Sequence, residues 1–490
     1  MTLTLISGSN FAVGDQTVTI GTSSCDIKTE SANEIVCETN AHPTSTKHRV
    51  EVESSSGLAS ADDGNGDFWY IDRWSSVFTW GCNNTDEVCA NKPVANDIAV
   101  IPAGMTVLLD ESTPVLSVLL LQGGSLLWDR KDGISLKAQY ILITHGGHFE
   151  IGTEDDPFCG EDLDNQIHAD IELYGHQRSI RLPIYGAKVF AVRDGSVDIH
   201  GCPLEKTWTT LGQTVEAGSD TIVLKDPIYN SSTPMTSWKV GDEVVIATTS
   251  GSNTVKHNER KTITAIAEDG VTVTLNETLN HRHLYEVRTF GGKEIAFAAE
   301  VGNINRNIKF HGNINKEWYQ ELEPCDEEFR PEGVQNCFQN AFDDEVGHDQ
   351  FGAHFIMHKI TDARISYMEL TETGQMGQLG RYSIHWHLSM EQPDSYIRGC
   401  AMHDTFNRAL TLHGVHNATV EWNVAYNCMG HNYFIEDGCE EHNTIQYNLA
   451  MRIKPASSML NTDMKAAGFW ITNTMNTIQH NHAAGGAQVG

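Results

Sequence analysis

Apolar and polar residues alternate over short runs along nearly the whole chain, and long helical periodicity is almost absent. Runs rich in Val, Ile, Thr and Leu, punctuated by Gly, Asn and Asp, continue to the last residues, which predicts an all-β protein. Residues 1–53 hold four of these runs (QTVTIG, CDI, EIVC and HRVEVE) and form a small strand-rich unit. The polar, glycine-containing stretch 54–67 then reads as a linker. Beyond it, in residues 68–202, LLLQGGSLLWD and ILITHGGHFEIG repeat the same plan, with Gly123 and Gly146 in equivalent places. An apolar strand, a paired-glycine turn and a second apolar strand in ~22 residues mark one coil of a solenoid, which buries its inner face by stacking on its neighbours. Residues 203–303 break that period with antiparallel-looking runs such as WKVGDEVVIA and form a β-rich insertion. The solenoid resumes over 304–490, where Ile397, Val420, Ile445 and Ile478 recur once per coil. Asn423, Asn427, Asn448 and Asn481 recur at the turns, the pattern of stacked side-chain amides. The last residues fall amid these coils, so a longer protein is expected.

The same coil frame brings histidines together. In RYSIHWHLS (381–389), Ile384, Trp386 and Leu388 face one way, and His385 and His387 the other. Aligning GAHFIMHK, RYSIHWHL, NRALTLHG, HNYFIEDG and AGFWITNT places His358, His387, His413, Asp437 and Asn473 in one register. His385 and Glu436 lie beside the column, and Arg381 opens its strand. Stacked imidazoles repel when charged, so a carboxylate, a metal or an anionic ligand has to accompany them. A His387/His413/Asp437 set suits zinc or another transition metal, with Asn473 or water completing the shell. Alternatively, Asp437, Glu436 and His385 supply a general acid and base for glycosidic cleavage. A hydrogen-bonded polar ladder without a ligand is the structural alternative, and the register is decisive, because a one-residue slip moves every side chain to the other face.

Charge narrows the partners. Lys and Arg total 33 against 65 Asp and Glu, a net charge of −32, with no basic run to offset it. Nucleic acid and anionic membrane surfaces are excluded as partners on that ground. No apolar run reaches the ~20 residues of a membrane span, so no membrane insertion by this segment is expected, and the N-terminus lacks the features of a signal peptide. No phosphate loop, dinucleotide fingerprint, nucleophile elbow or kinase motif is present. Eleven cysteines and the sequons at Asn83, Asn230, Asn276 and Asn417 favour an oxidising, extracellular or cell-surface setting. Cys25/Cys37, Cys82/Cys89 and Cys325/Cys337 lie close enough in sequence to close small loops, and the odd count leaves one thiol over, assigned to Cys439. The acidic turn at Glu154–Asp156 is a candidate calcium ligand set, with a solvated turn as the alternative. In HRH (281–283) the histidines read as surface groups at the end of the insertion.

These stretches also resemble a known family. Residues from WSSVFTWG to IELYG resemble the eight-glycine domain, and those from LGRYSIHWHL onward resemble the parallel β-helix that follows it in the fibrocystin-L-like and cell-migration-inducing, hyaluronan-binding family. Residues 1–53 resemble a TIG domain, which implies a Cys25–Cys37 pair. The resemblance implies an immunoglobulin-like β-sandwich followed by a right-handed, pectin-lyase-like parallel β-helix carrying the insertion. It also implies an extracellular glycan- or matrix-binding ectodomain. The alternatives are a hyaluronidase-like glycoside hydrolase and a structural spacer. For a polyanionic glycan, Arg381, Arg398 and Arg408 are the expected basic patch, with His358 and Asn473 also touching the ligand.

Overall fold

The computed structural model describes residues 3–486 except 60–65, 84–88, 163–164, 252–253, 314–349, 457–462 and 464. Among the described residues the structure is strand, turn and short 3₁₀ turns. In the first unit, five antiparallel strands lie in the spatial order Leu3–Ser7, Glu34–Thr39, Ser23–Glu30, Gln16–Ile20 and Lys47–Ser54. They enclose Val18, Ile20, Ile35 and Val52 around the Cys25–Cys37 disulfide. The polar stretch 54–67 is not all linker, since Gly57–Leu58 and Asp67–Trp69 both pair with Lys47–Ser54.

The remainder is a parallel β-helix with three sheet faces. One face is a ten-strand stack running from Asp72–Arg73 to Thr477–Gln479, through Ile365↔Ile397, Ile397↔Val420, Val420↔Ile445 and Ile445↔Ile478. The long strand Ile134–Thr144 bends across a corner and joins the other two faces. Its C-terminal half continues into Val189–Arg193, His354–His358, Ile384–Glu391, Leu410–His416, Tyr433–Ile435 and Phe469–Trp470. Alternation along these strands sends Ile384, Trp386, Leu410, Leu412 and Ile435 into a continuous dry core and their neighbours outward. The amide ladder forms: Asn423 donates to Asn448 Oδ1 (2.9 Å) and Asn448 to Asn481 Oδ1 (3.0 Å). Asn427 leaves it and donates to Asp404 instead.

The insertion is a six-stranded antiparallel sheet with its own core around Trp238 and Val244, plus the hairpin Tyr285–Phe290/Lys293–Ala298. Trp208, Val245 and Ile304 pack it on Val424 and Leu449 of the helix. Cys82–Cys89 also forms, whereas Cys325 and Cys337 lie outside the described residues. A third bridge, Cys159–Cys202, joins positions 43 apart that only coil stacking brings together. Cys439 is free and exposed, as expected, and Cys400 and Cys428 are free and buried. All four sequon asparagines are exposed.

Candidate functional site

The outward side of the Val189–Trp470 face carries the histidines. Register pairs Arg193 with His358, His358 with His387 and His387 with His413, so the predicted column exists and begins one coil earlier, with an arginine. Ring centroids are 5.3 Å apart for His358 and His387, and 4.8 Å for His387 and His413. The next rung differs from the sequence reading. Leu412 pairs with Ile435, which puts Glu436, not Asp437, in line with His413. Asp437 is one residue on, where its Oδ2 lies 2.9 Å from His413 Nε2.

Two imidazoles meet across the column, with His387 Nδ1 and His413 Nδ1 3.1 Å apart. Burial, then the neighbouring His413, pulls the His387 pKa down to about 4. His385 is fully buried and neither ring nitrogen has a partner among the described residues. Burial and His387 hold it well below the usual histidine range. Glu436 shows the opposite shift: burial raises its pKa against the pull of His413 and Arg408, and its Oε2 is buried without a hydrogen bond among the described residues. Its other oxygen accepts from Tyr382 (3.4 Å), whose hydroxyl accepts from Arg408 (2.9 Å). A His387 imidazole held neutral and a protonation-prone Glu436 carboxyl thus stand two rungs apart on one face, with His413 between them.

The expected arginine patch is redistributed. Arg408 is buried under the face and forks onto Asp463 at 2.9 and 2.7 Å, so its charge is neutralised. Arg398 belongs to the ten-strand face, a corner away, and binds Glu421 and Glu154 at 2.8 and 2.9 Å. Arg381 alone of the three stays at the histidines, without a carboxylate partner among the described residues; its guanidinium donates to Gly380 O. Gly186 makes room for it, since a Cβ there would sit 2.5 Å from Arg381 Nε. Arg181, Arg193 and Lys359 join it, also without carboxylate partners among the described residues. Arg193 was legible in KVFAVRDG, which aligns with AHFIMHKI. Arg181 was not, because it sits in an irregular loop.

Other predicted residues have local roles. His358 Nδ1 lies 3.4 Å from the Tyr185 hydroxyl. Asn473 accepts from the Met475 amide and closes a turn. Glu154 and Asp156 of the acidic turn are paired with Arg398 and Arg130. In HRH, His283 is buried rather than surface, facing Ala247 O and Glu259, while His281 stacks on His257. For zinc, the two Nδ1 atoms suit neighbouring ligand positions, but Asp437 occupies the opposite nitrogen of His413, so His387, His413 and Asp437 do not converge. Among the described residues, the group of three potential ligands within mutual reach is Asp437, Cys439 and Glu440, and the last is occupied by the Gly414 and Gly438 amides.

Comparison with known proteins places three family models along the chain: an IPT/TIG domain at 2–68, a G8 domain at 79–212 and a CEMIP beta-helix at 350–490. Fibrocystin-L of Homo sapiens is 41% identical over 99% of this chain, and fibrocystin of Canis lupus familiaris is 28% identical over 95%. The chain spans 11% of the length of either relative. A tailspike from Pseudomonas phage LKA1 aligns with 71% of this chain and 46% of its own at 13% identity and a TM-score of 0.19, a likeness too slight to carry an argument. No helix among the described residues is long and apolar enough to cross a membrane.

Proposed function

We propose, from a chain that is fibrocystin-L-like along 99% of its length and carries TIG, G8 and CEMIP-type β-helix domains, that it is an extracellular module that binds an acidic polysaccharide along the histidine face. One observation carries the reading. In a protein of net charge −32, four cations without carboxylate partners among the described residues (Arg181, Arg193, Lys359 and Arg381) flank the histidine column. Unpaired cations lining a face favour a polyanion and accept its carboxylates bidentately through arginine. The exposed sequons and the disulfides accord with an extracellular setting.

The test is binding of a uronate-containing polysaccharide such as hyaluronan, against a neutral glucan, by the protein and by its Arg381→Ala/Arg193→Ala variant. Salt-sensitive binding of the uronate polymer alone, weakened at least tenfold in the variant, supports the reading. Equal binding of the glucan, or an unaffected variant, overturns it.

A second reading, cleavage of that polysaccharide, is favoured by the opposed shifts of Glu436 and His387. Glu436 would protonate the departing glycosidic oxygen, and His387 would take a proton from water, with Asp437 orienting His413 behind it. Shortening of the polymer that disappears in Glu436→Gln while binding persists supports cleavage; unchanged polymer length with the wild-type protein leaves binding alone.

A further inference from the structure

The insertion leaves the β-helix at Cys202 and returns at Asn307, and between these strands lies a cleft of about 360 Å³. It belongs to a different part of the solenoid from the histidine face: its walls are the turn at Gln166, the insertion loop 237–242 and the re-entry segment 305–309. Clefts at such seams are where folds commonly place ligands.

The polar groups lining it are unevenly matched. Arg306 is buried, and its guanidinium has carbonyl partners at Gly399, Asn303 and Asn305 but no carboxylate within ion-pair distance among the described residues. Its Nη2 makes no hydrogen bond among the described residues. Among the described residues Lys239 reaches only the Gln166 side chain, and Lys309 stands 3.5 Å from Glu369. Against these donors the principal open acceptor is Asp242, buried and bonded through one oxygen to Asn303 and the Lys239 amide. Glu369 is already satisfied by His403, Lys309 and the Arg306 amide. A buried guanidinium short of an anion is costly to keep unless something supplies the missing charge.

We propose that this seam cleft binds a small oxyanion, the carboxylate or sulfate of a molecule no larger than one acidic sugar, held by Lys239 and Lys309 over Arg306. The site is independent of the histidine-face reading and stands or falls without it.

Titration calorimetry and thermal shift on the full chain test it, with inorganic sulfate, glucuronate and glucose as probes. The expected result is saturable binding of sulfate or glucuronate, at least tenfold weaker in Lys239→Ala and recovered in Lys239→Arg, with no response to glucose. Binding of sulfate alone identifies a bare-anion site, and preference for glucuronate identifies an acidic-sugar site; both support the proposal. No saturable binding of either anion, a glucose response of equal size, or affinity unchanged in Lys239→Ala overturns it. Arg181→Ala/Arg381→Ala on the histidine face should leave this binding intact, and loss of it there would move the anion site to that face.

Discussion

Raising the pH from 6.5 to 9.5 should loosen the insertion from the β-helix, and His403 sets the size of the effect. The ring is 2% exposed, and both nitrogens face carboxylates: Nδ1 lies 2.8 Å from Asp404 Oδ2 and Nε2 lies 3.3 Å from Glu369 Oε1. Both nitrogens must therefore carry protons. Burial opposes that charge, but the hydrogen bonds to Asp404 and Glu369 outweigh it and lift the pKa from 6.5 to about 9. At ~1.36 kcal/mol per unit, that rise stabilises the folded state by about 3 kcal/mol. The matching fall of Glu369 to about 2 is the same contact seen from its partner and is counted once. Because the folded pKa lies above the unfolded one, the stabilisation is complete below about pH 6.5 and is lost as pH climbs through 9. Asp404 also accepts from Arg260 of the insertion (2.8 Å), so opening of the destabilised strand that carries His403 and Asp404 also releases that seam contact. The assay is a nuclear magnetic resonance titration of His403, with hydrogen-exchange protection of 259–266 and 401–405 measured at both pH values. A His403 pKa at or below 7, or the same pH-dependent loss of protection in His403→Gln, would refute the reasoning.

Three further outcomes follow from packing. Asn448→Ala removes a fully buried amide bonded to Asn423, Asn481 and the Val420 carbonyl, and should cost about 3 kcal/mol from stranded polar groups, read as a lower denaturant midpoint; an unchanged midpoint refutes the ladder's role. Cys25→Ser/Cys37→Ser opens a loop closed over a separation of 12 residues and should destabilise the first unit by about 3 kcal/mol while the β-helix transition stays in place, as calorimetry would show. Gly186→Ala sets a Cβ 2.5 Å from Arg381 Nε at a position with φ of +74°, and should reduce acidic-glycan binding as far as Arg381→Ala does; full binding would show that Arg381 is not held there for the ligand.

The solenoid and its histidine column were legible because stacking repeats the same inward and outward positions coil after coil. His358, His387 and His413 share a register in the sequence and in the structure. The failure came at the next rung. Gly414 and Gly438 invite alignment, which sets Asp437 beside His413, yet the span from Ile435 to Ile445 is two residues longer than that from Leu412 to Val420. Turn length, not strand pattern, carried the missing information. Arg398 and Arg408 look equivalent to Arg381 in the sequence, but a corner and a buried carboxylate at Asp463 separate them. Cys159–Cys202 escaped because nothing local links residues that far apart.

The paired register of the histidine face also limits how such a site can change. Adjacent rungs are separated by the ~4.8 Å that backbone hydrogen bonding dictates, whatever side chains they carry. Substitution can alter what stands on a rung, as Arg193, His358, His387, His413 and Glu436 illustrate, but it cannot slide one group a fraction of a step toward the next. Spacing on this face is therefore quantised. Its chemistry is edited one rung at a time against a fixed ruler, and the acidic polysaccharide proposed for it would have to present its own repeat in step with that ruler.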